Sequence, residues 1–293
     1  MNSSKNLRAR FQPREYLHQQ RERLHQHFVT GWKSQAIFEF ITFGVKQAWA
    51  CLFGALMLAV LLLTFLFYPK DCPLPRYDFV TLAAITIQVL LLLFKLETLE
   101  EAKIIFVFHV VGTVMEIFKT HVGSWVYPEP SYLRIFDVPM FSGFMYASVG
   151  SFIARVWRIF DFRFDRFPPI QLQALLALLI YINFFSHHYV ADIRWALFIG
   201  SAVLYGPAMI WFKADEAHRW LPLIIGLLLV AVFIWFAENI ATYARAWTYP
   251  SQGKEWHMVS VSKLGSWYLL MLISFVLVAW VHKPVDRRMA GLN

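Results

Sequence analysis

A chain of 293 residues, 58% hydrophobic and 16% charged, with a mean hydropathy of +0.50, is too apolar for an ordinary soluble domain. The net charge of +8 comes without an aromatic-basic motif that reads bases, so nucleic acid is not an expected partner. Two cysteines, Cys51 and Cys72, exclude a disulfide framework. What remains is an all-α polytopic membrane protein, because a helix keeps its backbone polar groups paired across a hydrocarbon layer about 30 Å thick.

Residues 1–47 read as a basic cytoplasmic tail. Within it, residues 16–28, rich in Gln, His and Arg, fit either a surface helix on anionic lipid or a solvated tail. The first apolar run starts too late for a signal peptide. About eight transmembrane helices are then predicted, near 48–67, 79–96, 103–119, 138–158, 169–187, 193–212, 219–241 and 261–282. Pro73 and Pro75 break the first connection, Pro168-Pro169 opens the fifth span, and Gly206-Pro207 interrupts the sixth. Residues 155–167 alternate charge with aromatic rings, as an interfacial anchor does. A basic cytoplasmic tail, 283–293, closes the chain.

With the N-terminus inside, 19 of the 27 Lys and Arg residues fall on the cytoplasmic side and 8 outside. The positive-inside rule then predicts a multi-pass protein of the cell inner membrane with both termini cytoplasmic.

One stretch occurs twice. Glu116, Thr120, Trp125, Tyr127, Pro128, Gly143 and Tyr146 recur 122 residues later as Glu238, Thr242, Trp247, Tyr249, Pro250, Gly265 and Tyr268. Seven identities in a 31-residue window exceed the roughly two that ordinary composition would give by chance. The same offset carries the first predicted span onto the fifth, so two four-helix halves are expected, membrane repeat 1 over 48–168 and membrane repeat 2 over 169–282. An even number of spans per half makes the repeat parallel.

An ionisable group at the centre of a span costs about 2.5–3.5 kcal/mol on insertion scales, so Glu116 and Glu238 must face a partner or a cavity. His109, Gly112, Glu116 and Lys119 form one helical stripe, and Glu238, Thr242 and Arg245 the corresponding line, with Trp235 one turn earlier. If the two lines converge on one chamber, the glutamates are the candidate catalytic pair for acid-base chemistry on a lipophilic molecule. His109, Thr120, Trp125, Tyr127, Tyr146, Thr242, Trp247, Tyr249 and Tyr268 are the candidate substrate-binding residues. The competing reading pairs Glu116 with Lys119 or His109 and Glu238 with Arg245, and leaves the aromatic residues as a membrane belt.

A metal reading would start from His109, His121, His187, His188 and His257, yet no His-x-x-His or His-x-x-x-His pattern is present, and the adjacent His187-His188 rings are expected to diverge on a helix. No metal is expected. No Gly-rich phosphate loop or nucleophile elbow appears either, so no cofactor is implied.

The runs His109 to Glu129 and Val138 to Tyr146 resemble the uncharacterised bacterial membrane family typified by YoaT, which implies an integral membrane protein and no reaction. More distantly, Glu116, Thr120, Gly123, Tyr127 and Val138-Pro139 are similar to carotenoid hydratases and small membrane lycopene cyclases. That resemblance implies polyene protonation by acidic side chains, with Glu116 and, through the repeat, Glu238 as the acids. The acidic doublet Glu100-Glu101 is expected on the opposite side from both glutamates. Three functions remain open: an enzyme acting by proton transfer on an isoprenoid or other lipophilic substrate, a proton-coupled carrier, and a non-catalytic membrane subunit. Membrane lipids are the expected surroundings, and the oligomeric state is left open.

Overall fold

The computed structural model describes residues 31–253, 255–282 and 284. The predicted surface helix at 16–28 and nearly all of the predicted C-terminal tail lie outside the described residues. Nine α-helices carry the described chain: α1 Trp32–Ala50, α2 Leu52–Phe67, α3 Arg76–Leu93, α4 Leu99–His121, α5 Phe141–Ile159, α6 Ile170–Ser186, α7 Arg194–Tyr205, α8 Leu223–Tyr243 and α9 Ser262–His282. Local chemistry sets several of their starts. Thr98 and Glu101 make a reciprocal capping box at α4, with bonds of 3.2 and 2.8 Å. Pro75, Pro169 and Pro222 directly precede α3, α6 and α8, where a missing N–H removes nothing a helix needs.

The protein is mostly helical and has apolar helices suited to a membrane. Among the described residues α3, α8 and α9 are long and apolar enough to cross one, and α1 with α2 makes a fourth if that pair, bent by 64°, is a single span. Hydropathy alone reads about eight. The difference has identifiable causes: α4 carries Glu100, Glu101, Lys103, Glu116 and Lys119, α6 has 17 residues and α7 only 12. The span predicted at 193–212 is the clearest departure. Gly206-Pro207 ends the helix, and the residues beyond form a strand.

That strand belongs to a small antiparallel sheet, a departure from the all-α expectation. β3 Arg163–Asp165, β4 Met209–Lys213 and β5 His218–Pro222 pair in that order, with Phe164 opposite Ile210 and Trp211 opposite Trp220. A two-residue ribbon, β1 Arg134–Ile135 with β2 Val138–Pro139, lies before α5. Residues 32–47, read from sequence as part of a polar tail, are helical and leave Trp32, Phe40 and Val45 exposed along α1.

The connections gather at two ends. At the aromatic-loop end, Arg76 grips Glu129 through two bonds of 2.7 Å, and Arg76 and Tyr77 both donate to the Arg245 carbonyl, at 3.1 and 2.8 Å. Asp78 accepts from Ser131, Tyr132 and Leu133, holding the long loop before α5. At the sheet end, Arg155 is fully buried and donates to Glu97 at 2.6 Å and to the Trp49 carbonyl at 3.1 Å. Ser151 and Gln88 also donate to the Glu97 carboxylate. Lys46 reaches the Lys213 carbonyl at 2.9 Å and ties α1 to the sheet.

Between the ends, α4 and α5 pack closely because glycines stand where side chains would collide. A Cβ on Gly112 would sit 2.6 Å from the Tyr146 ring, and one on Gly150 would sit 2.7 Å from Phe108. Phe53, Met57, Tyr77, Phe141, Ile153 and Leu272 are among the side chains fully withdrawn from the surface in the core.

Removing one partner of a buried, hydrogen-bonded ion pair leaves the other charge stranded, at about 3–5 kcal/mol. Arg155→Met should therefore sharply lower the unfolding midpoint of the detergent-solubilised protein. Lys103→Ala, which breaks the exposed Lys103–Glu100 pair, should leave it nearly unchanged. Equal midpoints for the two variants would show that the Glu97–Arg155 pair does not hold the sheet end together.

Candidate functional site

Helix α4 ends one turn beyond Glu116, and its exit decides what the glutamate meets. Gly123 takes the left-handed conformation, φ +73°, and Ser124 N–H reaches back to the Lys119 carbonyl at 2.9 Å. The chain reverses and lays the next residues over the helix end. Trp125 Nε1 then donates to Glu116 Oε2 at 2.7 Å, and Tyr127 donates to the same oxygen at 2.6 Å. Tyr146 of α5, admitted by Gly112, donates to Oε1 at 2.7 Å.

Helix α8 ends the same way. Arg245 is left-handed, φ +51°, and Ala246 N–H returns to the Ala241 carbonyl at 2.9 Å. Tyr249, eleven residues after Glu238, donates to its Oε1, and Trp267 of α9 donates to Oε2 at 2.7 Å. The two aromatic loops meet directly. Val126 and Thr248 exchange two backbone hydrogen bonds, 3.0 and 2.9 Å, and the Trp125 and Tyr249 rings sit edge to face at 6.0 Å.

Both glutamates open on one cavity of about 1220 Å³. Of the candidate substrate-binding residues, Trp125, Tyr127, Tyr146, Trp247 and Tyr249 stand in its wall with them. Four predicted residues do not. His109 faces the closely packed Gly143 and lies against Phe144, with ring centres 4.5 Å apart and the rings tilted by 52°. Thr120 turns back to the Glu116 carbonyl, Thr242 sits between the Asn239 carbonyl and Trp256, and Tyr268 faces Ser201 at 3.2 Å. Hydroxyls on a helix readily satisfy themselves on the preceding turn, which spacing alone does not reveal.

The ion pairs of the competing reading, Glu116 with Lys119 and Glu238 with Arg245, are absent among the described residues. Lys119 turns to His188 at 2.9 Å, and the Arg245 side chain is exposed. Glu101 lies at the sheet end against Arg158, at 3.0 Å. His187 and His188 do not diverge: their ring centres are 4.1 Å apart, because α6 stops at Ser186. No group of three or more His, Cys, Asp or Glu that could hold a metal ion occurs among the described residues.

Sequence reasoning missed Trp267, Lys263, Arg194 and the lining role of Lys119 and the His187-His188 pair. Trp267 was hidden because the residue 122 positions earlier is Met145, so the recurring motif carried no signal there.

Fold and site together define a mostly helical, membrane-associated protein built around two buried carboxyls on a shared cavity. Residues 39–275 match the family described as "Protein of unknown function (DUF817)", and the chain belongs to that family. It is 40% identical over 248 residues to the "Uncharacterized protein YoaT" of Bacillus subtilis (strain 168), an overlap covering 84% of this chain and 92% of that protein. No solved structure matches.

Burial, and then the charge of the neighbouring carboxylates, pushes the loop phenols Tyr127 and Tyr249 well above the ordinary tyrosine value. The unfolded chain ionises these phenols first, near pH 10, so the stability they contribute is complete below that pH and is lost as pH rises beyond it. Replacing both, Tyr127→Phe with Tyr249→Phe, should flatten this alkaline loss in the unfolding midpoint. Superimposable alkaline profiles for variant and wild type would refute the assignment.

Proposed function

We propose that this chain is a multi-pass inner-membrane protein of two parallel four-helix halves, about eight spans in all, with both termini cytoplasmic. In this reading its central cavity takes a lipophilic molecule, and Glu116 and Glu238 exchange a proton with it. The observation that carries the reading is the presence of two carboxyls on one largely apolar cavity, each held by phenol and indole donors rather than neutralised by a cation.

Several correspondences at the 122-residue offset support the duplicated plan. Gly123 and Arg245 make the same left-handed exit, and Val126 and Thr248 bridge to each other. The pairs α2 and α6, α3 and α7, α4 and α8, and α5 and α9 occupy matching positions along the chain. The 19-to-8 split of basic residues supports the orientation.

For the chemistry, the donors fix where each carboxyl oxygen points, so a bound molecule meets a preorganised proton-exchanging group. Tyr127, Tyr146, Trp125, Tyr249 and Trp267 position these groups. Trp247 adds an aromatic wall, suited to a polyene or another isoprenoid. A carrier is the second reading. The same cavity wall includes Phe160 and Phe212 at the sheet end, so the hollow extends along much of the bundle.

Glu116→Gln and Glu238→Gln keep the side-chain shape and one acceptor oxygen, turn the other into an amide donor, and remove proton exchange. In membranes of cells co-expressing the protein, each variant should lower turnover of its lipophilic substrate by about a hundredfold or more, followed by mass spectrometry of the lipid extract. Loss of proton-coupled uptake into vesicles, with no lipid converted, would select the carrier. Variants matching wild type in both assays and differing only in unfolding midpoint would reduce the glutamates to structural parts.

A further inference from the structure

The glutamates share their end of the cavity with cations that none of the above uses. Lys119, on α4, is 3% exposed. Its ammonium donates to His188 Nε2 at 2.9 Å and lies over the Phe184 ring at 4.0 Å from the centroid. Lys263, at the start of α9, sits over the Tyr249 ring at 4.4 Å. Arg194, at the start of α7, stands within electrostatic reach of both, as Glu238 does of Lys263. All three basic side chains line the cavity, with His187 and His188 beside them.

Their partners do not account for them. Among the described residues neither Lys119 nor Lys263 has a carboxylate within ion-pairing distance, and Arg194 has only Asp192, at 3.0 Å. Glu116 and Glu238 are already engaged by phenol and indole donors. A buried ammonium without an acid is costly unless an anion joins it. Away from this cluster the wall turns apolar, with Leu58, Val149, Ile180, Leu227, Val230 and Phe233. A volume of about 1220 Å³ exceeds the roughly 300–1,000 Å³ usual for drug-sized ligands and leaves room for hydrocarbon.

We infer that the cavity binds a phosphorylated lipid, with the phosphate between Lys119, Lys263 and Arg194 and the acyl or isoprenoid body in the apolar part. This rests on the proposed function and narrows its substrate class. An anionic headgroup held at this end would bring the first carbons of the tail alongside Glu116 and Glu238.

The test uses the full chain in a neutral detergent, titrated separately with dioctanoyl phosphatidic acid, dioctanoylglycerol and inorganic phosphate, and read by intrinsic tryptophan fluorescence. Phosphatidic acid should bind at least about tenfold tighter than dioctanoylglycerol, with affinity falling as salt is raised. Lys119→Met and Lys263→Met should each remove most of that preference, and Lys119→Arg should retain it. Should the methionine variants fail to fold, Arg194→Gln, at the partly exposed rim, should weaken phosphatidic acid selectively.

Equal affinity for phosphatidic acid and dioctanoylglycerol, or a preference untouched in every folded variant, would overturn the inference. Inorganic phosphate binding as tightly as phosphatidic acid would replace the lipid by a free anion and overturn it too. The two proposals fail separately. Binding of uncharged dioctanoylglycerol keeps a lipophile-binding cavity even if the anion preference is refuted. Phosphatidic acid bound normally by protein whose glutamate variants lose no activity refutes the proton chemistry alone.

Discussion

A carboxyl group withdrawn into an apolar bundle must be surrounded by donors, and that requirement organises one end of this protein. Glu116 receives three and Glu238 two, all from aromatic side chains that bring their own apolar bulk. A helix alone has no such donors to offer. Trp125, Tyr127 and Tyr249 arrive because the chain turns back on itself beyond α4 and α8, through a left-handed residue in each case, and lays a Trp-x-Tyr-Pro segment over the helix it has just left, while Tyr146 and Trp267 come from α5 and α9. The backbone bridge between Val126 and Thr248 locks the two returning segments together. Arg76 and Tyr77 then clamp α3 across both, through Glu129 and the Arg245 carbonyl.

The opposite end meets the same requirement by other means. Glu97 is neutralised by Arg155 and also accepts from Ser151 and Gln88, a buried polar knot built round a salt bridge. A three-stranded sheet lies beyond it, tied to α1 through Lys46. The contrast separates structure from site. At the sheet end charges cancel within a salt bridge, whereas at the aromatic-loop end carboxyls and ammonium groups share a cavity wall without pairing.

The positions paired by the 122-residue offset also differ in ways that bear on the proposals. Tyr146 reaches Glu116, but Tyr268, at the same offset, turns to Ser201, and Trp267 takes over the second bond to Glu238. Lys263 stands where the first half has Phe141, and Lys119 where the second has Ala241. Arg194 likewise stands 122 residues after the uncharged Cys72, so each of the three cations has an uncharged counterpart at that offset. This asymmetry suits the proposed amphiphile, which has one headgroup and one tail.

Composition and periodicity were enough to establish a helical membrane protein, because a run of apolar residues excludes water whatever its neighbours are. The recurrence of Glu, Trp, Tyr and Pro at a fixed offset also marked five aromatic residues and two acids that stand in the cavity wall. Other features depended on neighbours that no spacing encodes. Hydropathy ran the sixth span through Gly206-Pro207 because the strand residues beyond, Met209 to Phe212, are as apolar as a helix, and only pairing with β3 and β5 decides their conformation. Thr120, Thr242 and His109 share a helical stripe with the site yet point into satisfied or packed surroundings. Trp267, Lys263 and Arg194 come from α7 and α9, distant in sequence from Glu116. Their meeting is a property of how the helices pack, since a side chain's partner across a bundle is set by where the backbones cross, not by its place in the chain.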